Sequence, residues 1–298
     1  MSHFDAATGA RYDEQRKMNA LPKRDEAAKV VEGALPPMSE PRESFETVAG
    51  CKVHVLRGGR GSPLLFLHGG RGAGVWLPLF KTLSEHFDVI VPEHPGFGRS
   101  DTPEWLDNVG DLANFYHEFS EHLGLRDINL VGTSLGGWIA ADMAVRNCGP
   151  LRTLTLVAPA GIHVPGVPKG DLFLWTPEQL ARNLVFDQAL ADAMLKQTPD
   201  DEERRRQAKN ALALAKLSWQ PRLYDPNLRK WLHRVSCPTL IIWGDSDKLI
   251  PPAYGPAFRD LIPGAKLEVL ANCGHLPHVE KTGELAASIA KFIAEVRQ

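Results

Sequence analysis

The feature that most constrains this chain of 298 residues is an apolar run that leads into Gly132-Thr133-Ser134-Leu135-Gly136. Residues 128–131 have the pattern of a buried strand, and residues 135–147 have the pattern of an Ala-rich helix. A Gly-x-Ser-x-Gly motif in that setting predicts a tight, strained turn, in which side chains at the two glycines would collide with the neighbouring strand or helix. The turn presents the Ser134 hydroxyl at the carboxyl end of a sheet, beside the positive end of the helix. Ser134 is therefore the candidate nucleophile.

Short β-rich runs alternate with helical patterns from Phe45 onward. This alternation predicts βαβ units, and hence an α/β fold with a mostly parallel sheet covered by helices on both faces. The first two runs are separated only by Ala49-Gly50 and are expected to form an antiparallel hairpin. The eight predicted strands are at residues 45–48, 52–57, 63–67, 88–91, 128–131, 153–157, 239–243 and 266–270.

The interval between residues 160 and 235 breaks this alternation, because it has helical patterns at residues 177–197 and 201–219 and no convincing pattern of a buried strand. A stretch of this length is too long for a connecting loop. We therefore expect residues 160–235 to form a helical cap inserted after the sixth strand. The body beneath it would consist of residues 45–159 and 236–298.

Residues 1–44 differ from the rest of the chain, because their charges alternate in sign, strongly apolar residues are sparse and a Pro-rich stretch at residues 35–41 closes the segment. This composition is typical of a polar extension and linker, which cannot form a core of its own. We expect it to pack over the outside of the domain without contributing to chemistry. A contact with a second copy in a homodimer stays an open alternative.

Composition disfavours several kinds of partner. Lys and Arg number 34 while Asp and Glu number 36, which gives a net charge of −2 without a basic block, so nucleic acid is not expected. The apolar runs are far shorter than the roughly 18 residues that span a bilayer. Residues 1–20 lack the apolar stretch of a secretory signal, which predicts a cytoplasmic protein. The expected ligand is therefore a small molecule.

The four cysteines, Cys51, Cys148, Cys237 and Cys273, lie far apart in the sequence without CxxC spacing. In a chain of this length, that arrangement favours reduced thiols in the core over a disulfide framework. No zinc site is expected from it either.

A serine nucleophile needs a base to take its proton and a carboxylate to orient that base. His275 follows the last predicted strand and precedes the terminal helix, where a loop can carry an imidazole over the edge of the sheet. We take His275 as the base. His278 lies close to it in the sequence and is kept as the alternative.

Two acidic residues follow the predicted strand at residues 239–243. Asp247 lies further along the loop, where it can point back toward His275. Asp245 comes directly after Gly244 and is suited to cap the turn through its side chain. We take Asp247 as the carboxylate of the site and keep Asp245 as the alternative.

The loop at residues 68–76, which reads His-Gly-Gly-Arg-Gly-Ala-Gly-Val-Trp, follows the third predicted strand. Its glycines let the backbone approach a substrate closely, so the backbone N–H groups of Gly70 and Leu135 are the expected donors to an oxyanion. Dinucleotide binding is disfavoured, because no Gly-x-Gly-x-x-Gly placement fits the loop and no Gly-Lys-Ser/Thr follows. Arg71 stays open as a contact for a substrate carboxylate, against the more frequent case of a solvated loop arginine.

These motifs resemble those of the α/β-hydrolase superfamily, and the resemblance extends from Phe45 to the C-terminus. The resemblance implies a sheet of eight strands, a helical cap after the sixth strand, and no metal or organic cofactor. The family usually has Asp before the loop at residues 95–100, whereas Glu93 stands there in this chain, so the hydrogen bonding of that loop is expected to differ. The matching motifs are His68-Gly69-Gly70, residues 95–100, residues 132–137, residues 243–247 and Gly274-His275, with serine, aspartate and histidine in the superfamily's order.

Within this superfamily, a serine nucleophile is typical of esterases, thioesterases, peptidases and carbon–carbon hydrolases, whereas haloalkane dehalogenases and epoxide hydrolases use aspartate. We expect a carboxylesterase-like enzyme that forms an acyl-enzyme, with Ser134, Asp247 and His275 as the catalytic residues. Apolar residues of the cap are candidates to line an acyl pocket, but their pattern does not tell which of them contact substrate.

Two alternatives stay open. Carbon–carbon hydrolysis of a vinylogous diketo acid is favoured by the loop at residues 68–76, which is similar to that of meta-cleavage-product hydrolases. Those enzymes typically have Trp directly after the catalytic histidine, whereas this chain has Leu276. The other alternative is a non-catalytic receptor or scaffold on the same fold, which the complete set of serine, aspartate and histidine disfavours.

Overall fold

The computed structural model describes residues 41–296. The strands of its sheet are β1 (Arg42–Val48), β2 (Cys51–Gly59), β3 (Pro63–Leu67), β4 (Asp88–Pro92), β5 (Ile128–Thr133), β6 (Leu151–Val157), β7 (Thr239–Gly244) and β8 (Lys266–Leu270). They lie in the order β1-β2-β4-β3-β5-β6-β7-β8. β2 is antiparallel to β1 and to β4, and the other neighbouring strands are parallel. The predicted eight-stranded, mostly parallel sheet is confirmed.

β1 begins at Arg42 rather than at Phe45, inside the segment that the sequence assigns to the extension. Its first residues are exposed and polar, so an apolar pattern does not reveal them. They join the sheet through backbone pairing, in which Arg42 lies opposite Arg57 of β2. The remainder of the predicted extension, residues 1–40, lies outside the described residues.

The helices alternate with the strands as predicted, and they are α1 (Pro78–Ser84), α2 (Val109–His122), α3 (Leu135–Arg146), α4 (Pro177–Leu184), α5 (Gln188–Lys196), α6 (Asp201–Ser218), α7 (Leu228–Trp231), α8 (Tyr254–Leu261), α9 (Pro277–Glu280) and α10 (Thr282–Glu295). The helical pattern at residues 177–197 forms two helices, α4 and α5. Val185 has extended backbone angles, which end α4. The Asp187 carboxylate then accepts from the N–H groups of Ala189 and Leu190 and begins α5.

The central strands of the sheet are buried on both faces, as their apolar runs predict. In β3, Leu64 and Phe66 pack with residues of α1 and α10, whereas Leu65 and Leu67 pack with residues of α2 and α3. Successive side chains of a strand point to opposite faces, so both apolar layers hold the same strand. This packing fixes the carboxyl ends of the parallel strands, where the candidate residues lie.

The segment between β6 and β7 is helical and comprises α4 to α7 with a short 3-10 turn, Leu232–Arg234. Within the described chain, this segment contains one isolated bridge, between Gly161 and Tyr224, and no strand of the sheet. We call residues 160–235 the cap segment. No helix within residues 41–296 is both long enough and apolar enough to cross a bilayer.

Candidate active site

Ser134 occupies the turn between β5 and α3 with a φ of +54° and a ψ of −113°. A positive φ at a non-glycine residue costs about 1–3 kcal/mol, so the surrounding structure has to hold it. A Cβ at Gly132 would lie 2.3 Å from the carbonyl oxygen of Gly136, and a Cβ at Gly136 would lie 2.0 Å from that of Leu67. Both positions of the motif therefore require glycine, as predicted from the sequence.

His275 reaches Ser134 from the loop after β8. Its Nε2 lies 2.9 Å from Ser134 Oγ, and its Nδ1 lies 2.7 Å from Asp247 Oδ2. An ionised carboxylate can only accept a hydrogen bond, so Nδ1 carries the proton and Nε2 is left to accept from the serine hydroxyl. The backbone N–H of His275 donates to the carbonyl of Leu184 at 2.8 Å, which fixes the loop after β8 against the end of α4. The three side chains are therefore arranged for proton transfer from serine to histidine.

Asp247 and Asp245 have different surroundings. Asp247 is 3% exposed, and its Oδ1 accepts from the N–H groups of Leu249 and Ile250, both at 2.9 Å. These bonds turn Oδ2 toward His275. Asp245 is exposed and accepts from the N–H groups of Asn272 and Cys273, which ties the loop after β7 to the loop after β8. The structure thus places Asp247 against the imidazole and gives Asp245 a role in shaping the loops.

The alternative base, His278, lies on the short helix α9 and has no hydrogen bond to Ser134 or Asp247 among the described contacts. Its Nδ1 is buried without a hydrogen-bond partner in the described part of the chain. Burial lowers the pKa of His278 to about 4, and repulsion by the Arg71 guanidinium and by His275, when that ring carries a proton, acts in the same direction. The structure therefore does not bring His278 into the position of the base.

The loop at residues 68–76 passes directly beside the serine. A Cβ at Gly69 would lie 3.4 Å from the Ser134 Cβ, and a Cβ at Gly70 would lie 2.6 Å from Cδ2 of Leu214 in α6. Within residues 41–296, the N–H groups of Gly70 and Leu135 donate to no protein acceptor. Leu135 also begins α3, whose positive end favours negative charge. Both N–H groups predicted as oxyanion donors are therefore available to an acceptor beside Ser134.

Two buried histidines, His68 and His94, support this loop, and their hydrogen bonds define one tautomer for each ring. The backbone N–H of His94 donates to His68 Nε2 at 3.0 Å, so Nε2 of a neutral His68 carries no proton. The ring proton of His68 therefore lies on Nδ1 and is donated to the Gly69 carbonyl at 2.6 Å. His94 Nε2 donates to the His68 carbonyl at 2.8 Å, which leaves Nδ1 to accept from the Tyr116 hydroxyl. Both rings are fully used in their neutral forms.

The pKa values agree with neutral rings. Burial lowers the pKa of His68 to about 4 and lowers the pKa of His94 well below its ordinary value. The rings stack with centroids 3.6 Å apart, so a charge on one ring disfavours a charge on the other. In the sequence, His68 stands out only as the start of the loop, and no motif reveals the role of His94. The position of His94, two residues after the end of β4 and beside Pro95, was the available signal.

Asn210 of α6, also missed from the sequence, links the cap segment to two loops of the body. Its Oδ1 accepts from the Gly98 N–H at 2.8 Å, and its Nδ2 donates to the Arg71 carbonyl at 2.8 Å. Asn210 is 7% exposed, and the adjacent Lys209 donates to the Gly98 carbonyl at 3.1 Å. An asparagine inside a helix is unfavourable by propensity, which is the signal that could have found it.

Glu93 shapes the loop at residues 95–100 in place of the shorter acid that the family resemblance implies. Its Oε2 accepts from the Arg99 N–H at 2.9 Å and lies 3.0 Å from His54 Nδ1. Burial alone raises the pKa of Glu93, but the contacts with His54 and Arg99 outweigh it and lower the pKa. A Cβ at Gly98, where φ is +49°, would lie 1.8 Å from Glu93 Oε1. The longer acid is therefore accommodated because glycine stands opposite it.

Arg71 and the apolar residues of the cap segment were the other candidates for contact with a substrate. Arg71 is exposed and desolvation lowers the pKa of its guanidinium, with Glu203 opposing that effect. Of the apolar cap residues, Leu214 packs against the Gly70 backbone, whereas Leu212 is 74% exposed. Among the described residues, no group of His, Cys, Asp and Glu side chains is arranged to hold a metal ion.

Several known proteins are similar to this chain. A family model described as alpha/beta hydrolase fold matches residues 62–282. The chain is 27% identical over 283 residues to 2-hydroxymuconate semialdehyde hydrolase from Pseudomonas sp. (strain CF600), which covers 87% of this chain and 96% of that protein. It is 28% identical over 265 residues to Lipase 1 from Psychrobacter immobilis, which covers 84% and 83% respectively. The crystal structure of a membrane phospholipase A, described as a bacterial virulence factor, matches with a TM-score of 0.72 at 27% identity, over 87% of this chain and 88% of that chain.

Proposed function

We propose that this chain, which belongs to the α/β-hydrolase fold family, is a serine hydrolase. It cleaves carboxylic esters of small or medium acyl and alcohol groups through an acyl-enzyme. The observation that carries this proposal is the hydrogen-bonded chain from Ser134 Oγ through His275 to Asp247, with distances of 2.9 Å and 2.7 Å. The similarity to a lipase and to a phospholipase supports the ester as the bond that is cleaved.

In the first half of the reaction, Ser134 Oγ attacks the ester carbonyl while His275 Nε2 takes the hydroxyl proton. The Asp247 carboxylate stabilises the imidazolium that results. The N–H groups of Gly70 and Leu135 hold the oxyanion of the tetrahedral intermediate, a type of contact whose loss typically costs about 100- to 1000-fold in turnover. His275 then gives the proton to the departing alcohol oxygen, and the acyl group stays on Ser134.

In the second half, a water molecule attacks the acyl group and His275 takes its proton. The tetrahedral intermediate is stabilised by the same N–H groups. The proton returns to Ser134 Oγ as the carboxylic acid leaves, so the free enzyme is restored. The strained turn at Ser134 supports both halves, because it keeps the reacting oxygen at one place over the end of the sheet.

Carbon–carbon hydrolysis of a vinylogous diketo acid is the second candidate. The similarity to 2-hydroxymuconate semialdehyde hydrolase favours it. Leu276 argues against it, because this buried apolar side chain, 9% exposed, stands where the meta-cleavage-product hydrolases have Trp. Leucine has no N–H group to offer to a substrate.

The two candidates are separated by comparing kcat/KM for p-nitrophenyl butyrate with kcat/KM for a 2-hydroxy-6-oxohexa-2,4-dienoate. We expect the ester to lead by about 100-fold, which corresponds to a difference of about 2.7 kcal/mol in transition-state binding. A lead for the diketo acid would overturn the ester assignment. Ser134→Ala is the control and should remove turnover of both compounds.

A further inference from the structure

Cys148 and Cys237 form a close pair of thiols outside the candidate active site. Their sulfur atoms lie 3.6 Å apart although the residues are 89 positions apart in the sequence. Cys148 lies just beyond the end of α3, and Cys237 lies just before β7. Sulfur atoms in contact need only a small side-chain adjustment to reach bonding distance.

The two thiols differ in access and in protonation. Cys148 is half-buried and accepts a hydrogen bond from the N–H of Ser236, an exposed residue, at 3.4 Å, whereas Cys237 is 7% exposed. In its thiol form, Cys148 can donate to the carbonyl of Ala144 at 3.1 Å. The contact with Cys237 lowers the pKa of Cys148 to about 5 and raises the pKa of Cys237. Cys148 is therefore the more accessible and the more nucleophilic sulfur.

Cys51 and Cys273 provide an internal contrast. Both are fully buried, and burial raises their pKa values to about 11 and about 12. The hydrogen bonds of their sulfur atoms go to oxygen atoms, namely the Asp101 carbonyl for Cys51 and the Gly274 carbonyl and Glu280 carboxylate for Cys273. Thiols in such surroundings are inert, so the four cysteines fall into one reactive pair and two structural residues.

We propose that Cys148 and Cys237 are an oxidisable pair that closes to an intrachain disulfide when the protein meets a hydroperoxide. The Cys148 thiolate attacks the terminal peroxide oxygen, the O–O bond breaks, and the alcohol leaves with a proton, which gives a sulfenic acid on Cys148. Cys237 attacks that sulfur, the S–O bond breaks, and water leaves as the S–S bond forms. Overall, two thiols and one hydroperoxide give one disulfide, one alcohol and one water.

The covalent loop closed by this bond runs from residue 148 to residue 237, so it contains β6 and all of the cap segment. A disulfide restricts the unfolded chain more strongly when the loop is long, which predicts a more heat-resistant protein. Cys148 and Ser134 lie beyond opposite ends of α3, whose 12 residues span about 18 Å. The bond should therefore leave the reactivity of Ser134 unchanged.

The test is peptide mapping of the full-length protein after treatment with tert-butyl hydroperoxide and blocking of free thiols, without reduction. We expect a linked pair of peptides that contain Cys148 and Cys237, and a rise in Tm of several degrees that dithiothreitol reverses. Labelling of Ser134 by a fluorophosphonate should stay within about twofold of the reduced protein. Recovery of both cysteines as blocked free thiols, at oxidant levels that convert free glutathione to its disulfide, would overturn the proposal.

Serine variants give the matched controls. In Cys237→Ser, the serine hydroxyl can take the place of the Cys237 thiol as a donor to the Cys148 sulfur. Cys148 should then stop at the sulfenic acid and react with dimedone, and the oxidant should not raise Tm. In Cys148→Ser, Cys237 should stay unmodified. Cys51→Ser and Cys273→Ser should form the same linked peptides as the unchanged protein. Linked peptides that depend on Cys51 or Cys273, or an unmodified Cys148 in Cys237→Ser, would contradict the assignment.

Discussion

The histidines at the carboxyl edge of the sheet are built for opposite purposes. His275, which follows β8, has a carboxylate on one ring nitrogen and the serine hydroxyl on the other. His68 and His94, which follow β3 and β4, have both ring nitrogens in hydrogen bonds that require the neutral ring. All three side chains are almost completely buried, with exposures of 2%, 2% and 0%.

The difference shows that burial alone does not decide the chemistry of a histidine. A proton arriving at His275 Nε2 leaves the Nδ1–H bond to Asp247 intact and gains an ionic partner. A proton arriving at His68 Nε2 would displace the hydrogen bond from the backbone N–H of His94, and within residues 41–296 no carboxylate hydrogen-bonds to either ring. His275 is therefore suited to carry a proton, while His68 and His94 hold the loop at residues 68–76 in place because they stay neutral.

The largest expected effect comes from removing the proton-accepting histidine. His275→Ala should lower kcat on p-nitrophenyl butyrate by about 10⁴- to 10⁶-fold, because serine, histidine and aspartate act as a unit. His278→Ala is the matched control and should stay within about tenfold, since His278 has no hydrogen bond to Ser134 or Asp247 among the described residues. A similar loss of kcat in both variants would remove the distinction between the two positions.

The second comparison separates the two carboxylates. Asp247→Asn should lower kcat by about 10⁴-fold, because an amide cannot hold the required tautomer or stabilise the imidazolium. Asp245→Asn should lower kcat by less than about tenfold, since Asp245 bonds to the backbone of the neighbouring loop and not to His275. If Asp245→Asn showed the greater loss, the carboxylate assignment would have to be exchanged.

The third comparison concerns the neutral pair and pH. The folded-state pKa of His68 is about 4 against an ordinary value of 6.5, so between these values the unfolded chain binds a proton that the folded chain does not. The contribution of His68 to the free energy of unfolding is therefore fully present above pH 6.5. It is lost as the pH decreases, and the loss reaches about 3 kcal/mol at pH 4. His94 contributes in the same direction.

Urea unfolding at a series of pH values measures this effect. His68→Gln is the control, because its amide oxygen can accept from the His94 N–H and does not titrate. The variant should show a smaller loss of stability between pH 6.5 and pH 4 than the unchanged protein. An equal loss in both proteins would show that His68 is not held neutral by the fold.

The smallest expected effect comes from weakening the hydrogen bond by which the cap segment supports the loop at residues 68–76. Asn210→Asp keeps an acceptor for the Gly98 N–H but loses the donor to the Arg71 carbonyl. We expect kcat to fall by about tenfold with KM within about threefold. A displaced loop at residues 68–76 would disturb the geometry of the transition state more than it would weaken substrate binding. Lys209→Gln, a change at the adjacent residue, is the control, because the described hydrogen bonds of Lys209 go to the carbonyls of Gly98 and Ser100 and not to the loop at residues 68–76. It should leave kcat within about twofold. A loss confined to KM would indicate that Asn210 serves the substrate pocket instead.

The parts that the sequence predicts are those that short stretches of chain encode. Gly132 and Gly136 reveal the turn at Ser134 because their backbone contacts exclude any side chain. The parts that the sequence misses depend on contacts between distant segments. His94 matters because it meets His68, and Asn210 bridges Arg71 and Gly98 from the cap segment. No local pattern contains both partners of such a contact.

The same reasoning explains the errors at element boundaries. The polar start of β1 belongs to the sheet through backbone pairing with β2, which side-chain periodicity does not record. The helical pattern at residues 177–197 is interrupted at Val185, near the point where the Leu184 carbonyl accepts from the His275 N–H. The residues on both sides of Val185 do form helices, but the helix ends where the chain makes a tertiary hydrogen bond to the loop after β8.

The assignment of Ser134 as an activated nucleophile is tested most directly by labelling the protein with a fluorophosphonate probe and locating the adduct by mass spectrometry. We expect one adduct, on Ser134, that disappears in Ser134→Ala and forms far more slowly in His275→Ala. Absence of labelling under conditions where a known serine hydrolase reacts would contradict the account and favour a non-catalytic receptor on this fold. An adduct that persists in Ser134→Ala would contradict it equally.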